Sequence, residues 1–159
     1  MPTPVRTPAA EALTDLVFDT FRVHGRLIAF GDELVRRHGL TSARWQVLGT
    51  IGLAGQDLTV PMIARHLGLS RQAVQRVANE LARDGFVKFA VNPHHKRAKL
   101  VRHTKKGRAA YVAADRDWTE WANAVAKRLD RRAIEASRAV LQSLDAVCGD
   151  YLAAARPAA

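Results

Sequence analysis

The chain has 159 residues, 48% of them hydrophobic, a formal charge of +10 and one cysteine, Cys148. That length bounds it to one domain, or one domain with extensions, its apolar content excludes a disordered tail, and a lone cysteine excludes an intramolecular disulfide framework or a cysteine-rich zinc site. No apolar run approaches the ~20 residues of a membrane helix and no signal-peptide core is visible, so a cytoplasmic protein without a membrane partner is expected.

Residues 1–10 carry Pro2, Pro4 and Pro8 and little that could pack, and are expected to be disordered. From Leu13 the apolar residues fall at Leu16, Val17, Phe21, Leu27, Ile28, Leu34 and Val35, spacings that define one helix face. The helix is predicted to run to about His38 and to stop at Gly39. At 1.5 Å per residue it is about 42 Å long, too long to bury its whole stripe on a small domain, so a second subunit is expected to cover part of it. Thr41 and Ser42 can cap a second helix carrying Trp45, Leu48 and Ile51, which stops near Gly55. Thr59 is predicted to cap a third helix ending at Gly68, and Ser70 a fourth ending at Gly85, each stapled by the preceding leucine, Leu58 on Ile63 and Leu69 on Val74. Phe86–Val91 reads as a strand, Asn92-Pro93 as a turn, and Leu100–His103 as a second strand. Thr104 opens a long helix with Tyr111, Ala114, Trp118, Trp121, Val125 and Leu129 on one face. Asp130 caps the last, which carries Ile134, Val140, Leu141, Leu144, Val147, Cys148 and Tyr151.

The excess charge is confined to one segment. Thr59–Ala110 holds twelve Lys/Arg and two acids, while the rest of the chain has thirteen of each. A compact field of that sign attracts a polyanion. The same segment carries a helix-turn-helix pattern, with Ala64 where the helices meet, Gly68 in the turn, and Ile63, Leu67, Leu69, Val74 and Val77 in the wedge. Burying Val74, Val77 and Leu81 leaves Arg71, Gln72, Gln75, Arg76 and Asn79 outward on the fourth helix. Arginine suits guanine O6/N7, and glutamine and asparagine suit adenine N6/N7. Ser70, at that helix's N-terminus, can meet a phosphate. The hairpin segment His94–Arg108 has seven Lys/Arg and no acid, and reads as a wing beside the duplex. Lys96 or Arg97 at its tip is expected to enter the minor groove, and Lys99 and Arg102 to touch phosphates.

Helix, helix-turn-helix, the wing motif GFVKFAVNPHHKRAKLVRHTKKG and two closing helices resemble the MarR family of winged-helix regulators over nearly the whole chain. The resemblance implies a homodimer with interlocking first and last helices, two lobes on a pseudo-palindrome, and the wing-tip arginine at Arg97. It also implies a pocket for a small aromatic or anionic effector, near which His24, Arg44 and Trp45 are placed. Members commonly have an acid before two arginines in the wing. Here the stretch is His95-Lys96-Arg97, so the carboxylate that would hold the wing arginine is absent.

The expected fold is α+β and mostly helical. A winged helix-turn-helix lobe occupies 41–110, and dimerisation helices occupy 11–40 and 111–155. The expected function is a sequence-specific duplex-DNA regulator, a repressor released by a ligand. The alternatives are a nonspecific architectural binder, or a winged helix used for protein or RNA contacts. No nucleophile elbow, P-loop, dinucleotide turn or zincin helix is present, so no enzyme and no cofactor are expected. His94 and His95 lack nearby carboxylates or thiols for a metal site, and their protonation would add DNA-attracting charge. Cys148 reads as a small buried hydrophobe, and Trp118 and Trp121 as anchors of the dimer core.

Overall fold

The computed structural model describes residues 5–93, 95 and 97–155. In chain order the elements are α1 (Pro8–Val35), a 3-10 turn (Arg36–His38), α2 (Ser42–Ala54), β1 (Leu58–Thr59), α3 (Val60–Leu67) and α4 (Arg71–Arg83). They continue with β2 (Val87–Ala90), β3 (Leu100–His103), α5 (Lys105–Ala126) and α6 (Arg131–Ala154). The α+β, mostly helical class is as expected.

Four of the predicted caps form. The side chains of Thr41, Ser70, Thr104 and Asp130 accept from the N–H groups of Arg44, Ala73, Gly107 and Ala133. Two boundaries differ. The first helix starts at Pro8, inside the stretch expected to be disordered, because Thr7 Oγ1 accepts from the Ala10 N–H at 3.2 Å and proline suits a first turn. Thr59 makes no side-chain cap. Leu58 and Thr59 instead form a strand, pairing antiparallel with Val101 and Leu100. The sheet therefore has three strands in the order β1-β3-β2. The strand expected over Phe86–Val91 is shorter because Phe86 is spent on its neighbours. Its N–H donates to Leu81 O at 2.8 Å and its carbonyl accepts from the Thr104 N–H at 3.0 Å.

The described chain divides into two compact units, the boundary falling between Asp117 and Trp118. The first contains the core: Leu48 of α2, Leu58 of β1, Ile63 of α3, Leu81 of α4 and Val101 of β3 are all at most 1% exposed. On α1 only Gly31 and Val35 are buried. Gly31 lies where Ser42 approaches so closely that a Cβ would sit 2.7 Å from its Oγ. In the second unit Trp118 and Trp121 lie with ring centroids 4.9 Å apart, and α6 buries none of its residues. Cys148 is exposed, not the buried hydrophobe expected from its apolar neighbours. No described helix is long and apolar enough to cross a membrane.

Within the first unit, Asp117 of α5 is tied to the corner after α1. It is 7% exposed, accepts from Arg37 Nε at 2.9 Å and lies 2.6 Å from His38 Nε2. Arg37 first, then His38, hold its carboxyl below the ordinary carboxylate range. The unfolded chain then binds more protons than the folded one, so stability rises with pH through that range. Wild-type protein is expected to lose melting temperature between about pH 5 and pH 3. Asp117→Asn is expected to melt lower at pH 7 and to show a shallower decline. Parallel pH profiles in a thermal-melt series would rule this out.

Candidate nucleic-acid interface

The lobe presents α4 because of how the chain turns before it. Gly68 has φ +64, left-handed geometry that suits glycine. It lets the Leu69 N–H reach back to Ala64 O at 3.0 Å, which closes α3. Ala64 is 3% exposed, the small buried residue that close helix approach requires. Ser70 then caps α4. Leu69, assigned to the wedge and to a staple on Val74, is instead 49% exposed. The αL turn directs it out of the wedge, which Ile63, Val74 and Val77 fill.

The buried face of α4 is Val74, Val77, Ala78 and Leu81. Its other face lines a groove of about 1140 Å³ that runs to the wing. Arg71, Gln72, Gln75, Arg76 and Asn79 line one wall, Arg97, Ala98 and Lys99 the other, with Val60, Pro61 and Phe89 among the remaining lining residues. The structure thus brings five of the six predicted recognition-helix residues together with two of the predicted wing residues. Ser70 sits at the N-terminal end, exposed. Gln75 Nε2 donates to Asn79 Oδ1 at 2.8 Å, which leaves Asn79 its amide hydrogens and Gln75 its carbonyl oxygen for base edges. Arg76 is exposed, 3.8 Å from Glu80, a separation at which solvent screens most of the attraction. Glu80 and Arg83 also line the groove. Sequence reasoning missed both, although they continue the outer stripe one turn beyond Arg76 and Asn79.

In the wing, the His95 N–H donates to Asn92 O and the Ala98 N–H to His95 O, both at 3.3 Å. Arg97 and Lys99 are exposed. Lys96 and His94 lie outside the described residues. Arg102 does not join the groove. Its guanidinium is bound to Asp57, the two lying 2.6 Å apart, and it lines a separate cavity of about 350 Å³ with Gly52, His103 and Arg108. Asp57 also makes this arginine harder to deprotonate. Arg102 therefore ties β3 to the loop ahead of β1. In the same region burial lowers the His103 pKa, a shift that the Leu48 carbonyl, 3.0 Å from its Nε2, partly opposes.

The three residues placed near an effector pocket separate. His24 is exposed on α1. Trp45 is half-buried and packs on the core. Arg44 is only 14% exposed and is built into the fold. Its Nη2 donates to Asp84 Oδ2 at 2.5 Å, its Nη1 donates to Gly39 O at 3.4 Å, and its guanidinium lies 5.2 Å from the Phe86 ring centre.

A family model described as MarR family matches residues 38–98, from the corner before α2 to the wing. An uncharacterised protein of Mycobacterium tuberculosis (strain ATCC 25618 / H37Rv) is 36% identical over 135 residues, covering 85% of this chain and 93% of its own length. The M. tuberculosis transcriptional regulator MosR, solved in complex with DNA, superposes with a TM-score of 0.69 at 26% identity. That match covers 83% of this chain and 96% of MosR. The chain belongs to the MarR family. Its fold is the winged helix of MarR-family transcription regulators, and the stretch matching the MarR model contains Arg71, Gln72, Gln75, Arg76, Asn79 and Arg97. The transcriptional activatory protein BadR of Rhodopseudomonas palustris is 31% identical over 100 residues, 62% of this chain and 57% of BadR.

Proposed function

We propose that this MarR-family regulator reads duplex DNA sequence-specifically as a cytoplasmic homodimer on a pseudo-palindromic operator, and acts as a repressor released by a small aromatic or anionic effector. The observation that carries the DNA reading is the groove between α4 and the wing, where arginines and carboxamides on one wall face Arg97 and Lys99 on the other. Arg71, Gln72, Gln75, Arg76 and Asn79 enter the major groove, Arg97 with Lys96 reaches the minor groove, and Lys99 meets phosphate. Residues 41–110 form the DNA-binding lobe, and 11–40 with 111–155 the dimerisation helices. The dimer is supported by apolar side chains the single chain leaves in water, among them Phe18 (65%) and Phe21 (67%) on α1 and Leu152 (62%) on α6. Apolar stripes of this extent mark partner surfaces. Two copies of α4 about 34 Å apart enter successive major grooves. A ligand that binds one separation better than another shifts the equilibrium between them.

The test selects duplexes from a random-sequence pool and titrates the enriched duplex against a scrambled one at about 150 mM salt. A preference of roughly 10³-fold or more is expected for a specific binder. Equal affinity with a steep salt slope would instead identify an architectural protein. Sedimentation velocity of the free protein checks the dimer. Run-off transcription from the selected site fixes the sign of regulation, for which the activatory protein BadR is the opposing precedent.

A further inference from the structure

The C-terminal end of α4 is held by groups that arrive from three other parts of the lobe. Arg44 comes from the first turn of α2 and meets Asp84, the residue that closes α4. Its other terminal nitrogen meets the carbonyl of Gly39, in the corner that follows α1. Lys106 comes from α5 and donates from Nζ to the Asp84 carbonyl at 2.8 Å. Phe86 stands between the two cations, with its ring centre 5.2 Å from the Arg44 guanidinium and 4.4 Å from Lys106 Nζ. Arg83, on the last turn of α4, takes the second Asp84 carboxylate oxygen at 3.3 Å.

This is unlike a solvated ion pair, which reorients and fixes nothing. The Arg44 side chain is only 14% exposed and both of its terminal nitrogens are engaged, so it cannot swing without breaking those two hydrogen bonds. A planar guanidinium fixed at both ends and along one face defines a direction, which a lysine ammonium cannot reproduce. Leverage makes that direction matter. Thirteen residues of α4 span roughly 20 Å. A tilt of about 10° about the Asp84 end would move the Arg71 end by about 3 Å, well beyond the ~0.5 Å tolerance of a working recognition site.

We propose that Arg44 is a positioning residue for base reading: clamped between Asp84, the Gly39 carbonyl and the Phe86 ring, it sets the tilt of α4 and so decides which bases Arg71, Gln72 and Arg76 reach. The inference rests on α4 being the recognition helix. Hydrogen bonds from Arg83 and then Arg44 hold the Asp84 carboxyl below its ordinary range. Asp84→Asn therefore removes a charge while keeping the shape.

The test uses the full chain, the duplex enriched by wild type from the random pool, and its scrambled counterpart. Arg44→Lys and Asp84→Asn are titrated at one salt concentration, well below the lower of their melting temperatures. The ratio of enriched to scrambled affinity is expected to fall at least about tenfold. Affinity for scrambled DNA should stay within about threefold, because the phosphate-facing cations are untouched. Repeating the selection with either variant should give a changed consensus, which a loss of stability alone would not produce. An unchanged ratio and consensus in folded variants overturns the proposal, as do equal losses on both duplexes. If Arg44→Lys does not fold, Asp84→Asn decides. If wild type itself enriches no duplex, base reading by α4 fails and this proposal with it, a result distinct from a variant that keeps an intact preference.

Discussion

Gly107→Ala is expected to cost about 3 kcal/mol or more of folding stability, at the top of the usual range for overpacking. A Cβ on Gly107 would lie 1.8 Å from the Phe86 carbonyl oxygen and 2.7 Å from its carbon. The obstacle is backbone, so no side-chain rotation relieves it. Phe86 cannot retreat cheaply either, because its N–H is bound to Leu81 O and its carbonyl accepts from the Thr104 N–H and from Thr104 Oγ1 at 3.1 Å. The Gly107 N–H donates to that same hydroxyl at 3.0 Å. The missing side chain is what allows α5 to start against the end of α4 and the root of the wing. Gly25→Ala is the matched control. It lies within α1 with nothing within 4 Å of its added carbon, and should gain roughly 0.5–1 kcal/mol from helix propensity. Urea denaturation of both variants checks the pair, and a Gly107→Ala midpoint close to wild type would show that this joint yields.

Arg76→Ala should have the opposite profile, with little effect on the fold and a large one on DNA. Its side chain is 75% exposed and its one acid, Glu80, is 3.8 Å away, so the stability change should stay within about 0.5 kcal/mol. If Arg76 forks to a guanine edge, its loss should cost about 1–3 kcal/mol on the enriched duplex, roughly 5- to 150-fold, and much less on scrambled DNA. Lys105→Ala, at the exposed start of α5, should weaken both duplexes alike. Anisotropy titrations of the two variants make the comparison, and equal losses for Arg76→Ala on both duplexes would remove it from the base-reading set.

Much of the interface is visible along the chain because its determinants are local. Cap residues, the turn glycine Gly68 and the 3.6-residue spacing of Val74, Val77 and Leu81 depend on neighbours within one turn. They place α4 and orient its outer face correctly. Failures come where a residue's partner is distant in sequence. Arg102 reads as one more cation in a basic hairpin, but Asp57, forty-five positions earlier, engages it. Arg44 reads as a candidate for binding an anionic effector, but Asp84, forty positions later, holds it. The strand Leu58–Thr59 is too short for any periodicity and exists only because β3 lies beside it. Cys148 shares a face with apolar residues, yet nothing among the described residues covers it.

The sequence alone therefore determined the helix-turn-helix, the basic wing and the confinement of charge to one lobe. All of these follow from interactions within a few residues and from a one-dimensional count of charge. Only the tertiary structure decided which cations line the groove beside α4, which are paired within the lobe, and how the C-terminal end of α4 is clamped. Those outcomes depend on pairings across forty to eighty positions, whose geometry no local pattern encodes.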